Sequence, residues 1–289
     1  VKINKHFLII IFLLLILSEA SLRLLGIVDF PIYLKDSEMG YIQHANQSGK
    51  YLNKNEWRIN DFHMFGEKYD SKIHPSIFLI GDSIVWCGNP YLYQDRLCIK
   101  LENVSGLKVW SVGAGSWSSW SEIAFIKRFQ NIVDNSEFLV WIFNSGDFNE
   151  PTTWQSELTH PTHKPFSALA YVIGKFVLPQ NLFGLKTTQE SGNLNINQIQ
   201  NTISFIKKIS EKKKKTLIVL WPSEDELLNE KSREYYYAIK NDFEKLNSEK
   251  IRFIDILKLG VINPALYKDG IHPNPLGVSA LATIISKNL

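Results

Sequence analysis

A serine, an aspartate and a histidine in this chain have the types and settings that nucleophilic acyl chemistry requires. A serine hydroxyl attacks a carbonyl only when a base removes its proton and a third group orients that base. Ser83 follows Gly81-Asp82 at the end of the apolar run Ser76–Gly81. A strand passing into a helix there would point the hydroxyl into a cleft and present the first helical N–H groups to an oxyanion. Asp269 and His272 stand three apart in Asp269-Gly270-Ile271-His272-Pro273. That spacing lets the carboxylate hold one imidazole nitrogen while the other faces the serine. Singly, the residues have plainer readings: Ser83 as a helix cap, His272 as a loop residue before proline. Together they make a nucleophile, a base and an orienter.

Bringing these residues together is the task of the elements between them. The runs Ser76–Gly81, Leu107–Val112, Phe138–Phe143, Thr216–Trp221 and Ile251–Ile256 are short, apolar and rich in β-branched or aromatic residues. They read as strands buried on both faces. Helical spacing occupies Leu92–Leu101, Trp120–Phe129, Ile196–Ile209, Glu226–Leu246 and Leu276–Ile285. This alternation predicts a parallel sheet with helices on both faces, whose ligands bind beyond the carboxyl ends of the strands. The residues there are Gly81-Asp82-Ser83, Gly113-Ala114-Gly115, Asn144-Ser145-Gly146-Asp147 and Pro222-Ser223-Glu224, with Asp269–Pro273 before the last helix. Residues 29–74 read as an irregular lead-in packed on a main domain of 75–289. Within that domain the Pro- and aromatic-rich stretch 151–195 is too long for a simple loop and reads as a partly helical insertion.

Phe78-Leu79-Ile80-Gly81-Asp82-Ser83 resembles the first block of the SGNH, or GDSL, hydrolase superfamily, and Tyr267-Lys268-Asp269-Gly270-Ile271-His272-Pro273 resembles its last. The resemblance covers residues 75–289. It implies a flavodoxin-like three-layer α/β/α sandwich on a five-stranded parallel sheet, and ester hydrolysis or acyl transfer through an acyl-serine. It implies Ser83 as nucleophile, His272 as base and Asp269 as orienter; no Cys or His spacing in the sequence reads as a metal site, and no cofactor is expected. It also implies that the N–H groups of Ser83 and Gly115 serve an oxyanion hole. The third block departs from the family pattern of an asparagine directly before an aspartate. In Asn144-Ser145-Gly146-Asp147 the register that keeps Asp147 puts Gly146 where the asparagine belongs. Either Asn144 reaches the same space, or the hole has backbone donors alone. A lost donor costs roughly 3–4 kcal/mol of transition-state stabilisation, so a slow, specialised or catalytically silent glycan- or partner-binding protein is the alternative. Gly113-x-Gly115-x-x-Ser118 only approaches a dinucleotide fingerprint, because its third glycine is missing.

Lys2, Lys5 and His6 precede an apolar run from Phe7 to Leu17, and apolar character resumes after Ser18-Glu19-Ala20. The stretch Phe7–Val28 is long enough to cross a bilayer. Glu19 and Arg23, four apart, can pair on a helix or snorkel to the interface. Residues 1–28 therefore read as a signal anchor rather than a cleaved signal. The positive flank places the start of the chain in the cytoplasm and its body in the periplasm or at the cell surface. A net charge of +3 gives no argument for a nucleic-acid partner. Export permits a disulfide between Cys87 and Cys98, with free buried thiols the favoured reading, and His160 and His163 read as loop histidines. Trp117 and Trp221 read as core or rim packing, with a sugar platform as the alternative. Anchoring favours an envelope substrate: acyl (acetyl) esters of cell-surface polysaccharide, in the company of polysaccharide-modification partners, a layout similar to SGNH-like O-acetylation proteins of exopolysaccharide systems. A small ester, or a membrane lipid for a lipase-like enzyme, fits the same triad.

Overall fold

The computed structural model describes residues 5–178 and 193–289. Its first element, α1 (Lys5–Leu24), buries none of its residues. At 1.5 Å per residue it is about 30 Å long, matching the hydrocarbon core of a bilayer. It is long and apolar enough to cross a membrane.

The lead-in is more regular than its sequence suggests. β1 (Tyr33–Asp36) pairs with β2 (Gly40–Gln43), and β3 (Gln47–Tyr51) with β4 (Asn55–Ile59), as antiparallel hairpins. Strands this short carry too little periodicity to be read alone, and what fixes them is tertiary packing. Tyr41 and Ile42 of β2 join one core of the main domain, while Trp57 and Ile59 of β4 join the other. Phe65, just beyond, donates its N–H to Ser111 O at 2.8 Å.

The main domain then runs β5 (Ser76–Gly81), α2 (Ser83–Trp86), α3 (Leu97–Ser105), β6 (Lys108–Gly113), α4 (Ser119–Arg128), α5 (Gln130–Asn135), β7 (Phe138–Phe143) and α6 (Ala168–Val172). The last of these continues as a π-helical turn over Ile173–Val177. After it come α7 (Ile196–Ser210), β8 (Lys215–Leu220), α8 (Glu224–Leu228), α9 (Glu234–Phe243), β9 (Ile251–Asp255), α10 (Ile256–Leu259) and α11 (Pro275–Ser286). The rest of the expected insertion, 179–192, lies outside the described residues.

β5 to β9 form one parallel sheet in the order β6-β5-β7-β8-β9. Side chains alternate across it, as a pleated strand requires. Phe78 and Ile80 pack with α4, α5, α7 and α9 on one face, and Ile77 and Leu79 with α2, α3 and α11 on the other. The result is the α/β/α sandwich that the SGNH resemblance implies. The expected helix Glu226–Leu246 is broken in two. Asn229 accepts from Lys231 N and starts a new turn. The Arg233 guanidinium meanwhile donates to the carbonyls of Glu226 and Leu227, satisfying the end of α8. The chain leaves β5 for β6 on one side and returns to β7 on the other. That makes the carboxyl end of β5 the switch point, where this topology opens a crevice.

Candidate active site

Ser83 lies at that switch point. Gly81 and Gly113 close β5 and β6 in register. A Cβ at Gly113 would lie 2.6 Å from Gly81 O and 2.7 Å from Asp82 O, so a glycine there lets the two strand ends meet. Asp82 caps α2, accepting from Ile84 N at 2.8 Å, and Ser83 is the first helical residue. Ile84, Val85 and Trp86 are buried and fix the turn, whereas Ser83 is half-buried. Its hydroxyl donates to Asp82 Oδ2 at 3.2 Å.

The second half of the site comes from the segment before α11. His272 Nδ1 and Asp269 Oδ1 are 2.8 Å apart, and the same oxygen accepts His272 N at 2.9 Å and Ile271 N at 3.2 Å. Burial pushes the Asp269 carboxyl up. The backbone N–H of His272, the charge and ring N–H of His272, and the Ile271 N–H outweigh burial and hold it below the usual carboxylate range. An ionised Asp269 keeps the imidazole proton on Nδ1 and leaves Nε2 as the basic nitrogen. Three neighbours hold this segment from outside: Trp221 Nε1 donates to Ile271 O at 2.9 Å, Glu224 N to Gly270 O at 2.8 Å, and the Tyr91 hydroxyl to Pro273 O. Burial pushes the Asp82 carboxyl above its ordinary value, and the Ile84 N–H and the charge of nearby His272 offset this only in part. Among the described residues Ser83 and His272 make no hydrogen bond to each other.

Beneath the serine is a buried acidic cluster. Asn144 Nδ2 donates to Asp82 Oδ2 at 3.0 Å and to Asp147 Oδ1 at 2.9 Å, while its Oδ1 accepts Gly146 N at 2.7 Å. The Asn144 amide thus faces two carboxyls, and the Gly146 N–H is engaged by Asn144. Glu122 is fully buried on α4; its Oε2 accepts Trp141 Nε1 at 2.7 Å and its Oε1 has no partner. Burial, and then the charge of Asp82, push the Glu122 carboxyl well above its ordinary value. Asp147 is raised by burial and by the charges of Asp82 and Glu122. An acid whose pKa rises on folding contributes fully below its unfolded value and loses that contribution as pH climbs toward the folded one. The contribution of Glu122 to stability therefore falls as pH rises above about 4.5, its ordinary value. Glu122→Gln keeps an acceptor for Trp141 and removes the titration. Its unfolding temperature should exceed the parent's at pH 8 by about 2–4 °C for each ~1 kcal/mol recovered, with a shallower slope between pH 5 and 8. An unchanged slope in thermal melts would show that Glu122 does not titrate in this way.

The loop after β6 is held by the lead-in. Tyr41 donates its hydroxyl to Gly115 O, Gln43 Nε2 donates to Gly113 O at 2.8 Å, and Trp117 Nε1 donates to Tyr41 O at 2.8 Å. His160 stacks on Tyr41 with ring centroids 3.7 Å apart, and its Nε2 is 3.9 Å from where a Cβ on Gly115 would stand. Burial, then the nearby Lys175 charge, depress the His160 pKa to about 3, so the ring is neutral.

No protein-family model and no curated protein matches the chain. Among solved structures it is similar to a member of the lipolytic G-D-S-L family from Veillonella parvula, at 14% identity and a TM-score of 0.46, over 74% of this chain and 99% of that one. It is also similar to a lipase from a goat rumen metagenome, at 12% identity and a TM-score of 0.47, over 73% and 96%.

The structure brings Asp269 and His272 together and places His272 near Asp82, the residue before Ser83, with Gly115 in the loop just beyond β6. Asn144 and Gly146 lie under Asp82 and bond to each other. Trp117 and Trp221 are fully buried and are bracing residues, so the sugar-platform alternative for them is set aside. Cys87 and Cys98 are free and buried. Four contributors escaped the sequence reading: Glu122, Tyr41, Gln43 and His160. Only Glu122 left a signal, because it precedes Phe125 and Ile126 by three and four residues and so shares their inward stripe.

Proposed function

We propose that this chain is an SGNH-type serine esterase or O-acyltransferase, anchored by α1 with its catalytic domain outside the cytoplasm. The observation that supports it best is the 2.8 Å Asp269–His272 pair, held from three sides next to a serine at the switch point of the sheet. In this mechanism His272 Nε2 takes the Ser83 proton as Oγ attacks the ester carbonyl, and the ionised Asp269 stabilises the imidazolium. The Ser83 and Gly115 N–H groups receive the oxyanion. Collapse expels the alcohol, which takes its proton from His272, and leaves an acyl-serine. Water or a sugar hydroxyl, deprotonated by the same His272, then releases the acyl group. With Asn144 turned to Asp82 and Asp147, the hole has no side-chain donor from the third block. Acyl esters of cell-surface polysaccharide are the proposed substrates, since α1 would hold the site in the envelope.

A fluorophosphonate probe on the full chain in detergent tests this reading. The expected result is one covalent adduct, mapped by mass spectrometry to the peptide containing Ser83, together with hydrolysis of p-nitrophenyl acetate. Unlabelled Ser83 and no turnover would favour the silent, glycan-binding alternative.

A further inference from the structure

Glu19 and Arg23 interrupt the apolar run of α1, and both are tied to the insertion. The Glu19 carboxylate accepts the Ser167 hydroxyl and the N–H groups of Ala168 and Leu169, each at 2.9 Å. It thus fills the open N-terminus of α6 from another helix. Arg23 bonds Glu19 at 2.6 Å and donates to Pro165 O at 3.1 Å and Phe166 O at 2.6 Å. These bonds set the depth of α6 along α1. Glu19 is five positions before Leu24, so α6 begins about 7–8 Å below the top of a helix about 30 Å long.

The outer face of α6 is apolar at that depth. Ala168, Tyr171 and Gly174 turn inward and are buried. Phe166, Ala170, Ile173, Phe176 and Val177, at helical spacing, turn outward and are exposed. Phe166 is 97% exposed, Phe176 62% and Val177 69%. Isolated exposed apolar residues need no explanation, but a contiguous stripe does. Among the described residues the uncovered length of α1 continues it, and with α1 spanning the hydrocarbon core, α6 begins about 7–8 Å inside the outer boundary of that core.

We infer that this face of the insertion lies in the membrane interface, covered by the lipids of the bilayer that α1 crosses. Phe166 and Phe176 enter the boundary between headgroups and acyl chains, as an interfacial helix does. The same insertion carries His160, packed beside Gly115, so the catalytic edge of the sheet is brought to the bilayer surface. The inference rests on the anchor reading but not on the catalytic one.

Depth-dependent quenching tests it. The full chain carries a single added cysteine at Leu14, Phe166, Phe176 or Lys245, labelled with an environment-sensitive fluorophore and reconstituted in phosphatidylcholine–phosphatidylglycerol vesicles. Cys87 and Cys98 are buried, and the unsubstituted chain gives the labelling background. Lys245 follows α9 at the opposite, amino-terminal edge of the strands and serves as the control. Lipids spin-labelled near the headgroup should quench Phe166→Cys and Phe176→Cys about twofold or more, as expected for a face buried in the interface, and leave Lys245→Cys unchanged. Lipids spin-labelled deep in the chain should quench Leu14→Cys. Quenching at 14 without quenching at 166 and 176 overturns the inference and leaves the anchor standing. No quenching at 14 overturns the anchor and the inference with it. A blue-shifted but unquenched probe at 176 that crosslinks to a second chain would show that another copy, not lipid, covers the face.

Discussion

Ser83→Ala and His272→Ala each lower kcat/KM for p-nitrophenyl acetate by about 10⁴- to 10⁶-fold, and the double variant falls no further than the worse single one. The reason for non-additivity is mechanistic: without the nucleophile there is no proton for His272 to take, and without the base the serine stays a neutral alcohol. Stability should hardly change. The Ser83 hydroxyl contributes one 3.2 Å bond to Asp82 from a half-buried position. His272→Ala removes one carboxylate partner, but Asp269 keeps the backbone N–H groups of Ile271 and His272. Steady-state kinetics beside urea denaturation separates loss of chemistry from loss of fold. Either variant retaining most of its activity would exclude the triad, whatever the geometry suggests.

The parts of this molecule legible in its sequence are those governed by local periodicity. β5 and β7 are buried on both faces, so they appear as unbroken apolar runs with sharp ends. Those ends located Ser83 and Asn144 correctly at the carboxyl edge of the sheet. Asp269 and His272 were legible because three residues suffice to bring them together. What was not legible depends on contacts between distant segments. Tyr41 reaches Gly115 across 74 positions, and Gln43 reaches Gly113 across 70. Neither β2 nor its neighbours have a pattern strong enough to mark them as the brace of the loop after β6. His160 is a loop histidine as expected, but its stacking on Tyr41 was not legible because that partner is supplied by the lead-in. Glu19 and Arg23 were legible as a pair but not as a latch, since α6 lies more than 140 positions away.

Asn144→Ala should be costly in a different way, destabilising the chain by about 3–5 kcal/mol, the scale of removing one partner from a buried charged network. Asn144 is 2% exposed, and its two N–H groups meet the carboxyls of Asp82 and Asp147. Alanine leaves both facing each other, with Glu122 close enough to raise Asp147 further. Because Asp82 also caps α2 and accepts from Ser83, its displacement should lower kcat about 10²-fold, the usual cost of misplacing a reacting group by about 1 Å. Asn144→Asp separates the electrostatic part: a protonated aspartic acid can still donate to one neighbour, so its stability should recover toward pH 4 and collapse above pH 7. Urea titration at both pH values, with kcat measured on the same samples, reads the two effects together. A side chain that served as an oxyanion donor would show the opposite division, with activity lost and stability kept. The observed bonds argue for the first outcome: Asn144, two positions upstream of Gly146, gives its N–H groups to the carboxyls of Asp82 and Asp147 beneath Ser83.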